Sequence, residues 1–203
     1  MSSKVKMEKF SNILIFRIGQ LGDTLVSVPA VWAIREHFPD ARITLLCDGH
    51  VGKRYVLTSD VLEGSGMIDD FIFYPVDHSR MGRVLKAWRM LVLLVRLRAV
   101  GFDALVYLVP SQRMPQQIKR DMRFFRLAGI NQFYGTNGFQ RLPEKVPGKP
   151  LPAITQEGDL LLARLAGSGI PVPRPGHGRL DVNIGEEEKI KVDKAEERIS
   201  QIL

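Results

Sequence analysis

Ile13-Leu14-Ile15-Phe16 is an apolar run without alternation, the pattern of a strand buried on both faces of a parallel sheet. Gly19, Gly22 and Asp23 follow, and a helix-like stretch then runs to Phe38-Pro39. A strand, a tight turn and a helix in that order place Asp23 at the carboxyl edge of the sheet, where open α/β folds hold their ligands. Pro29 falls inside the helical stretch and cannot donate to the carbonyl of Leu25, so a kink or a restart is expected there.

The alternation continues down the chain. Residues 41–46 read as a second strand and 51–62 as a short helix. Residues 68–74 form a third strand stopped by Pro75, and residues 80–99 a helix rich in Leu, Arg and Lys. A fourth strand over 102–109 is stopped by Pro110, a helix over 115–127 carries Pro115 in its first turn, and 131–134 is a short fifth strand. Strands separated by helices predict a Rossmann-like α/β fold, a parallel sheet with helices on both faces.

Pro143, Pro147, Pro150 and Pro152 mark residues 141–153 as a loop. Residues 155–165 read as another helix, with Gly167 and Gly169 beyond its end. The Pro- and Gly-rich stretch 169–178 reads as a linker, and the Glu- and Lys-rich tail 186–203 as a surface helix at most. The expected organisation is one domain over 1–168 and a linker with a linker helix over 169–203. No second set of alternating strands and helices is present in the sequence.

Composition narrows the function classes. The chain has 203 residues, 45% of them hydrophobic and 25% charged, as expected of an ordinary globular protein. A single cysteine, Cys47, rules out an internal disulfide and reads as a small buried hydrophobe at a strand end. No Cys/His cluster has zinc spacing, and His37, His50, His78 and His177 are scattered. Residues 1–9 lack the apolar core of a signal peptide, and no run reaches the ~18 apolar residues of a spanning helix. A cytoplasmic protein is expected. Twenty-nine Lys and Arg against 22 Asp and Glu leave +7; that surplus suits solubility alone or anionic partners: nucleic acid, an anionic membrane surface or phosphorylated substrates.

Asp23 is the main chemical candidate. A carboxylate at a helix start can cap backbone N–H groups, or it can serve as a general base. Gly19 and Gly22 permit a tight turn and close backbone approach. They are also part of a dinucleotide fingerprint, but Arg17 stands where its first glycine would fall, and Asp48 is the nearest acid after the second strand. A nucleotide-binding oxidoreductase domain is thus the lesser alternative.

Arg113 and Arg120 follow the fourth strand and are candidates for holding phosphates or carboxylates. Lys119 and Arg123 fit a solvated helix face, Arg17 can reach the crevice from its strand, and Lys53 and Arg54 are further cations after the second strand. Residues 84–99 interleave Trp88 and aliphatic residues with Lys86, Arg89, Arg96 and Arg98. Such a helix either packs on the sheet or lies on an anionic membrane.

The stretch ILIFRIGQLGDTLVSVPAVWAIREHFPDARITLL resembles the opening of the ADP-heptose:lipopolysaccharide heptosyltransferases, glycosyltransferase family 9. The shared parts are an apolar strand, a turn ending in Gly22-Asp23, an apolar helix with a proline, and a Phe-Pro-x-Ala exit. Phe102-Asp103-Ala104-Leu105-Val106, Phe124 to Ile130 and Tyr134-Gly135 extend the resemblance over residues 12–182. It implies the amino-terminal, acceptor-side domain of a GT-B glycosyltransferase, with the carboxyl-terminal donor domain absent. It further implies Asp23 as catalytic base; for the anionic acceptor so implied, Gly22 and the cations placed at that edge, Arg113, Arg120 and Arg17, are the expected acceptor-binding residues. The implied partners are an ADP-sugar donor, an anionic glycolipid acceptor, a missing donor domain or partner chain, and peripheral contact with the inner membrane; no nucleic acid, cofactor or metal is implied. A truncated, non-catalytic glycolipid- or phosphate-binding module is the alternative within the same fold.

Overall fold

The computed structural model describes residues 10–19, 21–49, 58–75, 83–139 and 155–183. The elements are β1 (Asn12–Phe16), α1 (Leu21–His37), β2 (Arg42–Gly49), α2 (Thr58–Leu62), β3 (Asp70–Pro75), α3 (Arg83–Val100), β4 (Ala104–Tyr107), α4 (Pro115–Leu127), β5 (Gln132–Tyr134) and α5 (Glu157–Ala166). The strands form one parallel sheet in the order β3-β2-β1-β4-β5. This is a Rossmann-like α/β fold. The central strand β1 sets Phe16 opposite Leu46 of β2 and Tyr107 of β4.

Alternate residues of each strand feed two cores. Ile13, Ile15, Ile43, Leu45 and Cys47 pack with α1, α5 and the Leu62–Met67 turn. Leu14, Phe16, Leu46, Leu105 and Tyr107 pack with Leu93 and Leu97 of α3 and with Met122 and Phe125 of α4. Both faces are covered, so β1 has no polar side to show and its sequence does not alternate. Aspartates ahead of two strands catch neighbouring amides: Asp69 Oδ2 accepts from Ile43 N at 2.7 Å, and Asp103 Oδ2 from Ser11 N and Asn12 N at 2.7 and 2.9 Å.

The helix after Asp23 does not restart at Pro29; α1 is one element of 17 residues with Pro29 buried inside it. β4 is shorter than its apolar run. Leu108 and Val109 are fully buried yet outside β4; the Leu108 amide still donates to the Phe16 carbonyl at 2.9 Å, while Arg17 takes the Leu108 carbonyl at 2.6 Å and Arg164 the Val109 carbonyl at 2.7 Å. The 169–178 stretch is irregular but lies on the domain. Ile170 is buried, and a Cβ on Gly178 would stand 2.6 Å from the Pro29 ring. Farther on, Arg179 stacks on Trp32 with its guanidinium 3.6 Å from the ring centre, and Trp32 Nε1 donates to the Asp181 carbonyl. The expected loop 141–153 and tail helix 186–203 lie outside the described residues, as do Lys53 and Arg54.

α3 packs on the sheet, one of the two alternatives expected of it. Leu93 and Leu97 are buried against the sheet side, while Val84, Trp88, Leu91, Val92 and Val95 remain exposed. Among the described residues, no helix is long and apolar enough to cross a membrane.

Candidate functional site

The chain leaves β1 for α1 on one side of the sheet, and after β3 it crosses to the other side of β1. The crevice between the carboxyl ends of β1 and β4 is therefore the topological switch point, where open α/β sheets bind ligands. A cleft of about 330 Å³ lies there, lined by Ile18 and Gly19 after β1, Asp48 of β2, Pro110, Gln112 and Arg113 after β4, and Gln117 of α4.

The turn between β1 and α1 is held from beneath. Gly19 has φ +141°, and its amide donates to Asp48 Oδ2 at 2.9 Å. A Cβ on Gly19 would lie 2.5 Å from Asp23 Oδ2 and 2.7 Å from Asp23 Cβ. Only glycine lets the Asp23 side chain close over the turn. Asp23 stands in the first turn of α1, 40% exposed, with Oδ1 3.7 Å from Arg17 Nη2. It touches the cleft through Gly19. Gly22 differs: a Cβ there would meet nothing within 4 Å. Among the described residues no contact explains Gly22, and the space beside it is open.

Arg17, expected toward the acceptor, lies beneath the turn and bonds backbone carbonyls. Its side chain is 2% exposed and lies under the turn. Its guanidinium donates to the Leu108 carbonyl at 2.6 Å and to the Asp23 carbonyl. Burial lowers its pKa, and the nearby Asp23, Glu157 and Asp48 carboxylates oppose that shift. A second buried arginine, Arg164, sits nearby on α5 with its guanidinium 4.1 Å from the Phe139 ring centre. Burial brings it down to about 10, with Arg17 adding to the fall and Glu157 resisting it. Glu157 Oε1 also accepts from Ser111 N at 2.8 Å and Ser111 Oγ at 3.1 Å, tying the loop after β4 to the start of α5.

Arg113 lines the cleft and Arg120 does not. Both reach Asp121, a buried acid in the second turn of α4. Arg113 Nη2 lies 2.6 Å from Asp121 Oδ2, Arg120 Nη2 lies 3.0 Å from Oδ1, and the Tyr107 hydroxyl donates to Oδ2 at 2.7 Å. Burial alone would lower the Arg113 pKa, but its bond to Asp121 outweighs this and holds it above the ordinary value. Tyr107 is raised by burial first and by Asp121 next. Arg120 is 65% exposed and borders a separate apolar pocket of about 150 Å³ with Phe16, Tyr74, Met90, Phe124 and Phe125. Lys119 and Arg123 are exposed, as a solvated helix face requires.

The sequence reading missed Asp121, Tyr107, Glu157 and Arg164. Asp121 sits eight residues beyond Arg113, and only the turn at Pro115 brings the two together. Asp48, which the sequence places after the second strand, lies within β2, and its carboxylate holds the turn by accepting from the Gly19 amide. Among the described residues, no His/Cys/Asp/Glu group is arranged to hold a metal ion.

The fold and the switch-point cleft define a Rossmann-like α/β domain with a ligand crevice. One solved structure that shares the fold is a glycosyl transferase family 9 protein from Veillonella parvula DSM 2008, with TM-score 0.53 and 17% identity over 91% of this chain and 48% of that one. The E. coli heptosyltransferase WaaC, solved with ADP, aligns over 84% of this chain and 51% of its own at 12% identity and TM-score 0.49. The chain spans about half the length of these two proteins. No protein-family model and no curated protein sequence matches it.

Proposed function

We propose that this chain is the acceptor-side domain of a glycosyltransferase of the heptosyltransferase type, completed by a donor domain. The observation that carries the reading is the placement of Asp23. Its carboxylate packs on Gly19, which lines the switch-point cleft, on a turn that needs glycine there, and a buried cation lies 3.7 Å away. Family resemblance at Gly22-Asp23 supplies the reaction class.

In this reading the acceptor hydroxyl lies beside Asp23 and the donor, ADP-heptose, faces it across the crevice. The hydroxyl oxygen attacks the anomeric carbon as its proton passes to the Asp23 carboxylate. The bond from the anomeric carbon to the phosphate oxygen breaks, and ADP leaves with that electron pair. The anomeric centre inverts. Such proton transfer contributes typically ~10²–10⁴-fold, while alignment of donor and acceptor can supply roughly 7–11 kcal/mol. Because alignment needs the donor domain, the chain alone is expected to bind acceptor and not to turn over.

The acceptor is proposed to be an anionic inner-core glycolipid of lipopolysaccharide. Arg113 is the cation that supports this, because it lines the cleft and is held charged by Asp121. Arg120 faces another pocket and carries less of the argument. The test is an Asp23→Asn variant with the donor domain of a family 9 enzyme supplied. The substitution keeps size and capping but removes the base, so transfer should fall at least ~10²-fold with folding intact. Wild-type transfer by that variant would remove the base assignment.

A further inference from the structure

We propose that the chain holds a second ligand site, a pocket between α3 and α4 that takes a single aromatic ring bearing a carboxylate. The pocket measures about 150 Å³, and an apolar cavity of about that size admits one benzene ring. Its walls are mostly aromatic. Phe16 of β1 has its ring centre 5.9 Å from that of Tyr74 of β3 and 5.1 Å from that of Phe125 of α4, and Phe124 lies 5.5 Å from Phe125. Met90 of α3 completes the apolar lining. A planar guest ring extends this cluster by the same edge and face contacts, and the Met90 thioether can adapt to it.

Charge decides what the ring carries. Asp121 and Arg120 form the polar part of the lining. The Asp121 carboxylate faces two guanidiniums, Arg113 at 2.6 Å and Arg120 at 3.0 Å, so one positive charge is in surplus. Arg113 is the closer and lines the other cleft, which leaves the surplus with Arg120. Arg120 reaches Asp121 Oδ1 through Nε at 3.1 Å and Nη2 at 3.0 Å. Both bonds use one edge of the guanidinium. The Nη1–Nη2 end is left over, and its fork matches a planar carboxylate. Burial, with Asp121 next, holds the Tyr74 hydroxyl above its ordinary pKa, so Tyr74 adds no negative charge. A quaternary ammonium, which aromatic walls otherwise suit, would meet the Arg120 cation. The pocket shares no lining residue with the switch-point cleft, and binding there does not depend on sugar transfer.

The experiment titrates para-fluorobenzoate into the whole chain and follows its fluorine NMR signal. Para-fluorobenzyl alcohol presents the ring without the charge, and trifluoroacetate the charge without the ring. Para-fluorobenzoate is expected to saturate one site, with each of the other two at least about tenfold weaker. Arg120→Gln leaves Arg113 and Tyr107 on Asp121, so the melting temperature should hold. It should weaken the carboxylate about tenfold, as loss of a charged hydrogen bond does, and leave the alcohol unchanged. Met90→Trp fills the pocket from a partly exposed position and should abolish binding of both ring compounds. Absence of saturable binding would overturn the proposal, and so would an alcohol or a trifluoroacetate that binds as tightly as the carboxylate. Carboxylate binding retained in full by Arg120→Gln, or by a folded Met90→Trp, would place the ligand elsewhere and overturn it too.

Discussion

The Asp23 carboxylate rests directly on the backbone of Gly19: a Cβ built on Gly19 would come within 2.5 Å of Asp23 Oδ2. Position 19 also has φ +141°, a backbone that L side chains rarely adopt. Gly19→Ala should thus cost roughly 1–3 kcal/mol from backbone strain, with a further loss as Asp23 is pushed aside. Gly22→Ala makes the contrast. It lies in a helix with open space beside it, so stability should hold or rise by about 0.4–1 kcal/mol. If a ligand approaches Gly22 in the proposed way, that stable variant still binds acceptor less well. Urea unfolding of both variants, with glycolipid binding to Gly22→Ala, checks the pair.

Asp121 is predicted to be the most costly polar residue to remove. It is 7% exposed and receives Tyr107, Arg113 and Arg120. Asp121→Ala strands the half-buried Arg113 charge, an event worth about 3–5 kcal/mol in buried pairs. Tyr107→Phe removes one donor while both arginines still serve the acid, and should cost only about 0.5–1.5 kcal/mol. Chemical denaturation of the two variants gives the ratio. Equal losses would mean that Asp121 acts through Tyr107 and not through Arg113.

Which features were legible in the sequence follows from their physical range. β1 was readable because burial on both faces removes alternation, and α4 because Pro115 marks its start. The Gly22-Asp23 turn was readable because glycine and a capping acid are local signals. β4 is shorter than its apolar run because Leu108 and Val109 are as apolar and buried as a strand interior, while their carbonyls go to arginines just after β1 and on α5, 91 and 55 residues away. The same limit hid Asp121. Its role depends on a tyrosine and an arginine that a helix turn brings back, and no periodicity encodes that. Composition marked 169–178 as a linker, but Gly178 is small so that the chain can lie on Pro29.

Stability should fall in acid partly through Asp69. Burial favours the neutral acid, but the Ile43 amide and the Arg35 guanidinium bond the charged form and leave its pKa below the ordinary value. A depressed folded pKa means that the contribution is complete above the unfolded value, about 3.9. It is lost as pH falls through the folded value. Asp69→Asn should therefore be less stable than wild type at neutral pH, with the gap closing below about pH 4. Urea midpoints across pH 3 to 7 test the sign; a gap that widens in acid would remove this account.

Arg17 is the residue whose two readings separate most cleanly. It is buried under the turn and bonds the Leu108 and Asp23 carbonyls, while burial lowers its pKa against three nearby acids. Arg17→Met keeps much of the volume and removes the cost of burying a charge, which often offsets the loss of a buried ion. It also leaves the Leu108 carbonyl without that donor, worth roughly 1–3 kcal/mol. The net stability change should be small, below about 3 kcal/mol. Function should suffer more, because Asp23 loses the group that anchors its helical turn. If Arg17 positions Asp23, transfer by the completed enzyme falls in kcat with the acceptor KM little changed. If Arg17 touched the acceptor, KM would rise instead. A kinetic comparison of Arg17→Met with Arg113→Ala makes the distinction, since Arg113 lines the cleft and should show the KM effect that Arg17 lacks.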